Sequence, residues 1–587
     1  MFEKNTLSRI FFPFFSRAVA SAFLFMLAAF PAVVYPQASV NVSTLDPVYR
    51  DIDKLVAQGL VDKIIVGQRP YSRKEIARIT AEAMGHLSRL EEKLQDPKIS
   101  EGKKKGLQSR LDAVQEILGR LKKDYGEELV QIGALEGEKK NYSLHLIEKA
   151  QVDVMASKSR PVQIPVSNGI GNINAQINPL MDYQEGRHWV DGFNLSLETT
   201  HWLRASPYFA LALRPRFQLG IARDPQPNDN KAYIQNLYGK LNFYNFEIEA
   251  GRDNVLWGQG ENAGLLLSNN PRGLDMVKIS NDSPFILPWF LKYLGAHKLS
   301  FFYADLGPEQ FYPHSYLVGY KWSIQPVSFF EIGLSALVLG GGKGSPSASV
   351  GDRISDIFPI LGSSSSIPVS NKMSGVDMRF RIPPLRGTEL YLEYIFDDKH
   401  QADAHTWFIQ DAAQLAGIYV PRLLNDGTLD LRFEYHRTGV RFYRHGQFLD
   451  GNTLNGFILG DNLGPDAQGV YGTLNWDLNS HNLLTFKGAF EHRGSDTYKA
   501  ISHDPVTRPL AVDAFVVVKS NPAEKRIRLD TAWLHRWKEW PFQLTVDLGY
   551  EHVINENFVS GQKANNVRGL VSFQVNFDRW AHFPRPK

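Results

Sequence analysis

The chain has 587 residues, a formal net charge of +3, 43% hydrophobic and 12% aromatic residues, and no cysteine. A near-balanced charge with no basic run interleaved with aromatics argues against a nucleic-acid partner, and the missing cysteine excludes thiolate catalysis, disulfides and Cys-ligated metals. Modest hydrophobicity beside high aromatic content suits a large barrel whose strands turn apolar residues to lipid and polar ones to water.

Lys4, Arg9 and Arg17 precede a nearly all-apolar run over residues 18–34, which reads as a secretory signal occupying residues 1–38, with cleavage near Ala38. No later run of about 18 apolar residues occurs, so no transmembrane helix is expected beyond it. Residues 39–140 carry a helical period. Asp46-Pro47 offers a helix start, with Val48, Ile52, Leu55 and Val56 as one apolar stripe stopped at Gly59. Ser72 and Glu75 form a capping box ahead of Ile76, Ile79, Ala83, Leu87, Leu90 and Leu94. A third stripe runs from Leu107 through Leu111, Val114, Leu118 and Leu121, behind a solvated face at Lys103-Lys104-Lys105. Three such helices with short connections predict a small antiparallel bundle.

Around Tyr142 the period changes to two and stays so almost to the end. Leu429, Leu431, Phe433 and Tyr435 alternate with Asp430, Arg432, Glu434 and His436. Val376, Met378 and Phe380 alternate with Asp377, Arg379 and Arg381, and Val571, Phe573 and Val575 with Ser572, Gln574 and Asn576. Rows of opposite charge on one face suit a polar lumen in which neighbouring strands pair them. Short connections near 205–207, 243–245, 325–327, 383–387, 425–428, 479–481 and 538–541 alternate with long ones at 252–273, 340–373, 397–412, 445–466, 503–523 and 555–566. The pattern predicts an all-β transmembrane β-barrel of about 18 antiparallel strands over residues 141–587. Its long loops face outward, and an even strand count places the helical bundle in the periplasm. Trp289, Trp322, Trp537, Trp540 and Trp580 fall near turns or strand ends, as interfacial aromatics should.

No catalytic motif emerges: there is no Gly-x-Ser-x-Gly elbow, no His-Glu-x-x-His and no phosphate loop. Gly340 to Gly344 reads as a flexible outer loop, Asp397-Asp398 as a solvated loop end rather than a calcium site, and His436, His445 and His481 lack ligand spacing. No enzyme, metal or cofactor is expected. What remains is chemistry suited to sugars, namely aromatic faces beside amide, carboxylate and guanidinium groups. Residues 251–273 combine Trp257, Gln259, Asn262, Asn269, Asn270 and Arg272 around Leu265-Leu266-Leu267. The loop after Tyr443 adds His445-Gly446-Gln447-Phe448 and then Asp461 and Asn462. The competing reading, which composition alone puts ahead, is that these residues only plug the barrel and stiffen its mouth. The charged lumen rows leave a transport channel, a porin or a saccharide-export pore, as an alternative function.

The order Trp257-Gly258-Gln259-Gly260, Leu267-Ser268-Asn269-Asn270, Gly341-Gly342-Lys343-Gly344, Asp377, Tyr391 to Asp398 and Leu459-Gly460-Asp461 resembles the Wzi family of capsule-assembly outer-membrane proteins. The segment from Tyr49 to Ile79 is similar to that family's periplasmic helical region. The resemblance implies an 18-stranded barrel with a helical bundle and a lectin-like role in holding exported capsular polysaccharide at the cell surface, with outer-membrane lipid around it. The chain departs from the pattern in carrying Asp461 where the family leads one to expect His, and in a Ser-rich 340–373 loop. Both departures point to a different glycan, exopolysaccharide other than capsule included. The 49–79 segment also resembles surface-layer-homology repeats, which implies peptidoglycan as a partner of the bundle; the polysaccharide-export machinery is the alternative partner.

Overall fold

Strands that are apolar on one face and charged on the other can satisfy both only by closing, with lipid outside and paired charges within. The computed structural model describes residues 37–95, 100–169, 171–223, 225–261, 264–357, 370–397, 412–424, 426–501, 514–518 and 522–578. The expected signal lies outside them, save its last two residues. In chain order the barrel strands are β1 (Ser143–Lys158), β2 (Gly192–Ser206), β3 (Phe209–Ala222), β4 (Asp229–Phe243), β5 (Phe246–Asp253) and β6 (Leu274–Asn281). The next six are β7 (Ala296–Asp305), β8 (Tyr316–Val327), β9 (Phe330–Gly340), β10 (Ser370–Ile382), β11 (Thr388–Asp397) and β12 (Ala412–Val420). The last are β13 (Leu429–Thr438), β14 (Ala467–Asn479), β15 (Asn482–Arg493), β16 (Glu524–Arg536), β17 (Phe542–Ile554) and β18 (Lys563–Asn576). All neighbours are antiparallel, and β1 closes the 18-stranded ring on β18 with Val152 opposite Phe573.

The face assignments follow the alternation. On β13 Asp430, Arg432, Glu434 and His436 are buried inward while Phe433 and Tyr435 are exposed outward. Leu529 on β16 and Leu548 on β17 are each 60% exposed, an apolar band that only lipid can cover. Inside, charges pair across strands: Lys240 with Glu247 at 2.9 Å, Lys278 with Glu249 at 2.9 Å, Arg526 with Glu551 at 3.2 Å, and Lys321 with Asp377. Burial of this kind is tolerable because each ion has its counter-ion.

Connections alternate in length as expected, and two regions refine the pattern. The described residues of 159–191 form a long connection after β1 that folds into the lumen, where Ile164 and Ile173 join a buried apolar cluster and Arg187 pairs with Asp153. Residues 282–295 form a connection on the short-turn side and carry a 3-10 turn, Trp289–Leu294. Trp289 and Trp540 are exposed, Trp322 is half-buried, and Trp580 lies outside the described residues.

The helices are α1 (Val48–Ala57), α2 (Arg73–Gln95), α3 (Glu101–Asp124) and α4 (Gly126–Gln131), the last not foreseen; a further helix, α5 (Val350–Ile357), lies in the β9–β10 connection. No helix among the described residues is long and apolar enough to cross a membrane. Ile52, Leu55, Ile76, Ile79, Val114 and Leu118 form one core. The Ser72 hydroxyl accepts the Glu75 N–H at 3.0 Å, so the forward half of the capping box forms. The Glu75 carboxylate turns instead to Arg78 at 2.8 Å and the Ser283 hydroxyl at 2.5 Å.

The helical region does not stand apart from the barrel. Its first part, residues 37–75, enters the lumen from the short-turn end. Arg50 reaches Asp430 at 2.9 Å and Asp477 at 2.8 Å, Lys54 joins the same two carboxylates, and Asn41 donates to Glu249 at 2.9 Å. Arg73 bonds Glu148 at 2.5 Å, and Lys74 bonds Asp282 at 2.8 Å. The apolar stripes of the sequence indicated that these helices bury one face. They did not indicate that the polar face of α1 is matched to acids on β13 and β14.

Candidate functional site

The connection after β5 descends into the barrel and meets the helical region in mid-lumen. Gln68 and Arg69 pair as a short strand with Trp257 and Leu256, and the Gly258 N–H donates to the Gly67 carbonyl at 3.1 Å. Glu393 on β11 pins the turn, accepting the N–H groups of Gln259 at 2.5 Å, Gly260 at 3.1 Å and Leu265 at 3.0 Å. Only glycine fits at 258: its φ is +139°, and a Cβ there would lie 2.3 Å from a Glu393 carboxylate oxygen. Leu265, Leu266 and Leu267 join Ile164, Ile173, Phe442, Tyr443, Ile458 and Leu459 in an apolar cluster against inward Met276, Phe302 and Leu337 of the wall.

This arrangement settles where the sequence-predicted residues go. Trp257 is 2% exposed and lies 5.2 Å from the Phe302 ring. The Gln259 side chain donates to Asp377 at 2.7 Å and Glu331 at 3.1 Å and accepts from Arg379 at 2.8 Å. Asn262 lies outside the described residues. The Asn269 side chain accepts from Thr44 at 2.6 Å, and that of Asn270 donates to the Ile458 carbonyl at 3.0 Å. Asp461 accepts the Tyr183 hydroxyl at 2.6 Å and sits 2.6 Å from His436 Nδ1, while Asn462 donates to Asp182. Of the described members of the set, Arg272 alone lines an open cleft. Trp257, Gln259, Asn269, Asn270, Asp461 and Asn462 are buried among protein partners and build the plug.

The cleft, of about 550 Å3, opens at the long-loop end. His188, Tyr233 and Phe457 give it aromatic walls, and Lys231, Arg252 and Arg272 give it a cationic edge, with Asn230 and Asn455 as uncharged polar groups. The His188 and Phe457 rings meet edge-on at 5.2 Å. Asp275 holds Arg252 at 2.7 Å and Arg272 at 3.3 Å. Burial, and then the charge of Arg252, pull the Arg272 guanidinium below its usual value. Burial and Lys231 likewise lower His188, which keeps its ring neutral and able to both donate and accept. The buried asparagines bear on this cleft indirectly. Their main-chain carbonyls accept the N–H groups of Glu185 and Gly186, at 2.7 and 2.8 Å, and so place Gly186 against Arg272. At Gly186, with φ +68°, a Cβ would come 2.6 Å from the Arg272 nitrogen.

His188, Lys231, Tyr233, Asn455 and Phe457 were not singled out in the sequence, because two separate connections and the start of β4 supply them. One signal was available: Asn455-Gly456, flanked by apolar residues, is a two-residue hairpin turn. The turn joins Thr453–Leu454 to Phe457–Ile458 and brings Asn455 and Phe457 to the cleft. A second space of about 380 Å3 lies inside the lumen between Arg73 and Arg214 and is lined by ion-paired groups. Among the described residues, Asp62, Glu82 and His86 bring possible metal ligands together. Glu82 is already committed to the N–H groups of Asp62 and Lys63 and to Arg78, which leaves a cation little to bind.

The sequence matches the family described as Capsule assembly protein Wzi over residues 165–567. A curated relative, described as an uncharacterized 55.8 kDa protein in the cps region of Klebsiella pneumoniae, is 22% identical over 163 residues. That match covers 27% of this chain and spans 32% of the relative's length. A solved structure described as Wzi of Escherichia coli, an outer-membrane protein involved in group 1 capsule assembly and a carbohydrate-binding β-barrel, superposes with a TM-score of 0.59. It is 16% identical, over 92% of this chain and 99% of that one, and shares the fold. The Pseudomonas aeruginosa barrel OprD aligns with a TM-score of 0.40 at 8% identity, over 74% of this chain and 95% of that one.

Proposed function

Because the chain belongs to the Wzi capsule assembly family, we propose that it is an outer-membrane, lectin-like barrel that binds exported capsular or related polysaccharide and helps to hold it at the cell surface. In this reading the long loops face outward and the helical region faces the periplasm. The observation that carries it is the cleft between His188, Phe457 and Arg272. Sugar rings present C–H faces that pack on aromatic walls, and hydroxyls that exchange hydrogen bonds with Asn455 and His188. The carbohydrate-binding barrel described for the solved relative supports the same reading.

In this reading the cleft binds its ligand, since its described lining offers rings, cations and amides suited to recognition. The channel alternative loses its motive once the paired lumen charges are seen to anchor a plug. The test is retention of the strain's own polysaccharide by a deletion mutant complemented with Phe457→Ala plus Arg272→Ala. We expect retention to fall about tenfold, the equivalent of 1.4 kcal/mol, with the folded barrel still resisting SDS unless heated. Unchanged retention by a folded double variant would remove the cleft from the account.

A further inference from the structure

We propose that the short-turn rim carries a phosphate-binding site, formed by Arg110, Arg386 and Arg422, that takes the headgroup phosphate of a phospholipid in the adjoining leaflet. The site is independent of the polysaccharide reading.

Arg386 lies in the turn 383–387 and Arg422 in the turn 421–428, and each holds the other's backbone. Arg386 Nη1 donates to the carbonyls of Arg422 at 3.4 Å and Leu423 at 2.8 Å, and Arg422 Nε donates to the Arg386 carbonyl at 3.2 Å. Those bonds fix the stems and use one nitrogen of each guanidinium, leaving most of the five N–H donors of each free. Arg110 on α3 reaches the same place from the helical region, donating to the Gln58 side chain at 2.9 Å and its carbonyl at 2.8 Å. Gln58 follows Ala57, whose carbonyl oxygen would lie 1.9 Å from a Cβ at position 387. Helix end and turn are therefore in contact, and three guanidiniums share one neighbourhood.

None of the three has a carboxylate within ion-pair distance among the described residues, whereas the neighbouring Arg50 and Lys54 share two. The crowding of like charges registers electrostatically. Arg110 is pulled down to about 10, first by burial and then by the charge of Arg422, and Arg422 is lowered by burial and by Arg386. Planar guanidiniums gathered without counter-ions suit phosphate oxygens.

The apolar surroundings identify the anion's carrier. Leu385, Leu423 and Leu424 are exposed beside the cations, at 59%, 40% and 48%. They continue the outward band of Phe380 on β10 and Leu390 on β11. Cations edged by lipid-facing leucines match a phosphate attached to acyl chains.

The test uses the full chain in mild detergent with added phosphatidylglycerol, counting retained lipids by native mass spectrometry. We expect Arg386→Gln plus Arg422→Gln to retain at least fivefold less lipid than the unmodified chain, with Arg110→Gln in between. Leu385→Ser plus Leu424→Ser, which spares the cations and their backbone bonds, should also lower retention. Sodium phosphate alone, read as a shift in melting temperature, separates the sources of phosphate. Full lipid retention by the arginine variants overturns the site. Stabilisation by free phosphate without lipid retention overturns the lipid as its ligand.

Discussion

At the short-turn end the lumen is filled by ion pairs: Arg50 and Lys54 meet Asp430 and Asp477, Lys74 meets Asp282, and Arg73 meets Glu148. From mid-lumen toward the long loops a hydrocarbon cluster takes over beside further ion pairs, with Trp257, Leu265, Leu266, Leu267, Phe442 and Ile458 packed on inward Met276, Phe302 and Leu337. Both fillings occupy one barrel, yet their stability rests on different terms. Buried apolar contact is indifferent to salt and sensitive to lost volume. Ion pairs near water are screened by salt and titrate with pH. A plug of the first kind can be a permanent base for an outer cleft, while a plug of the second kind can be loosened by its surroundings.

The largest effect should come where the two fillings join. Glu393→Ala orphans three buried N–H groups at once. At about 1–3 kcal/mol for each unsatisfied donor, the loop from 254 to 273 should lose about 3–9 kcal/mol. Hydrogen exchange of that loop would show it, while the barrel keeps its heat-modifiable mobility. Trp257→Ala should follow, at about 3–5 kcal/mol of lost packing, equally at low and high salt. A strong salt dependence there would break the comparison.

Asp477→Asn leaves Arg50 and Lys54 to Asp430 alone. It should cost about 2 kcal/mol at low ionic strength and less in 1 M salt, read as protease access to residues 37–75. The smallest effect concerns acid. Burial opposes ionisation of Glu127, but hydrogen bonds from His145 and Ser143 and the charge of Arg204 hold it at about 2. Asp46, opposed by burial too, is lowered by Lys149. Folded values below the unfolded ones mean that these groups stabilise fully above the usual carboxylate range, and lose that contribution as pH falls toward 2. Helices α1 to α4 should therefore gain protease sensitivity between about pH 4 and pH 2, before the apolar plug loosens.

Much of this architecture was legible because one physical demand repeats along the chain. Each strand must face lipid on one side and charge on the other, so Asp430 to His436 and Asp377 to Arg381 announce their inward faces. The helical stripes at Ile52 and Ile76 are equally local signals. The filling of the lumen was not legible, because it depends on contacts between distant segments. Where the wall meets the apolar plug both faces are hydrophobic, as at Leu337, Val338 and Leu339, and the alternation that marks a polar lumen disappears. Residues 251–273 stood out through their composition, and the alternative of a plug describes Trp257, Gln259, Asn269 and Asn270. The cleft escaped because His188, Tyr233 and Phe457 lie on three different segments, and only its cationic edge, Arg252 and Arg272, belonged to the conspicuous stretch.

The most direct measurement is the conductance of the full chain in a planar lipid bilayer. With the ionic filling below and the apolar filling above both in place, the account predicts almost no current at low salt. Stable porin-sized steps from the unmodified protein would contradict it, since a barrel built to hold a ligand at its sealed mouth cannot also pass one through.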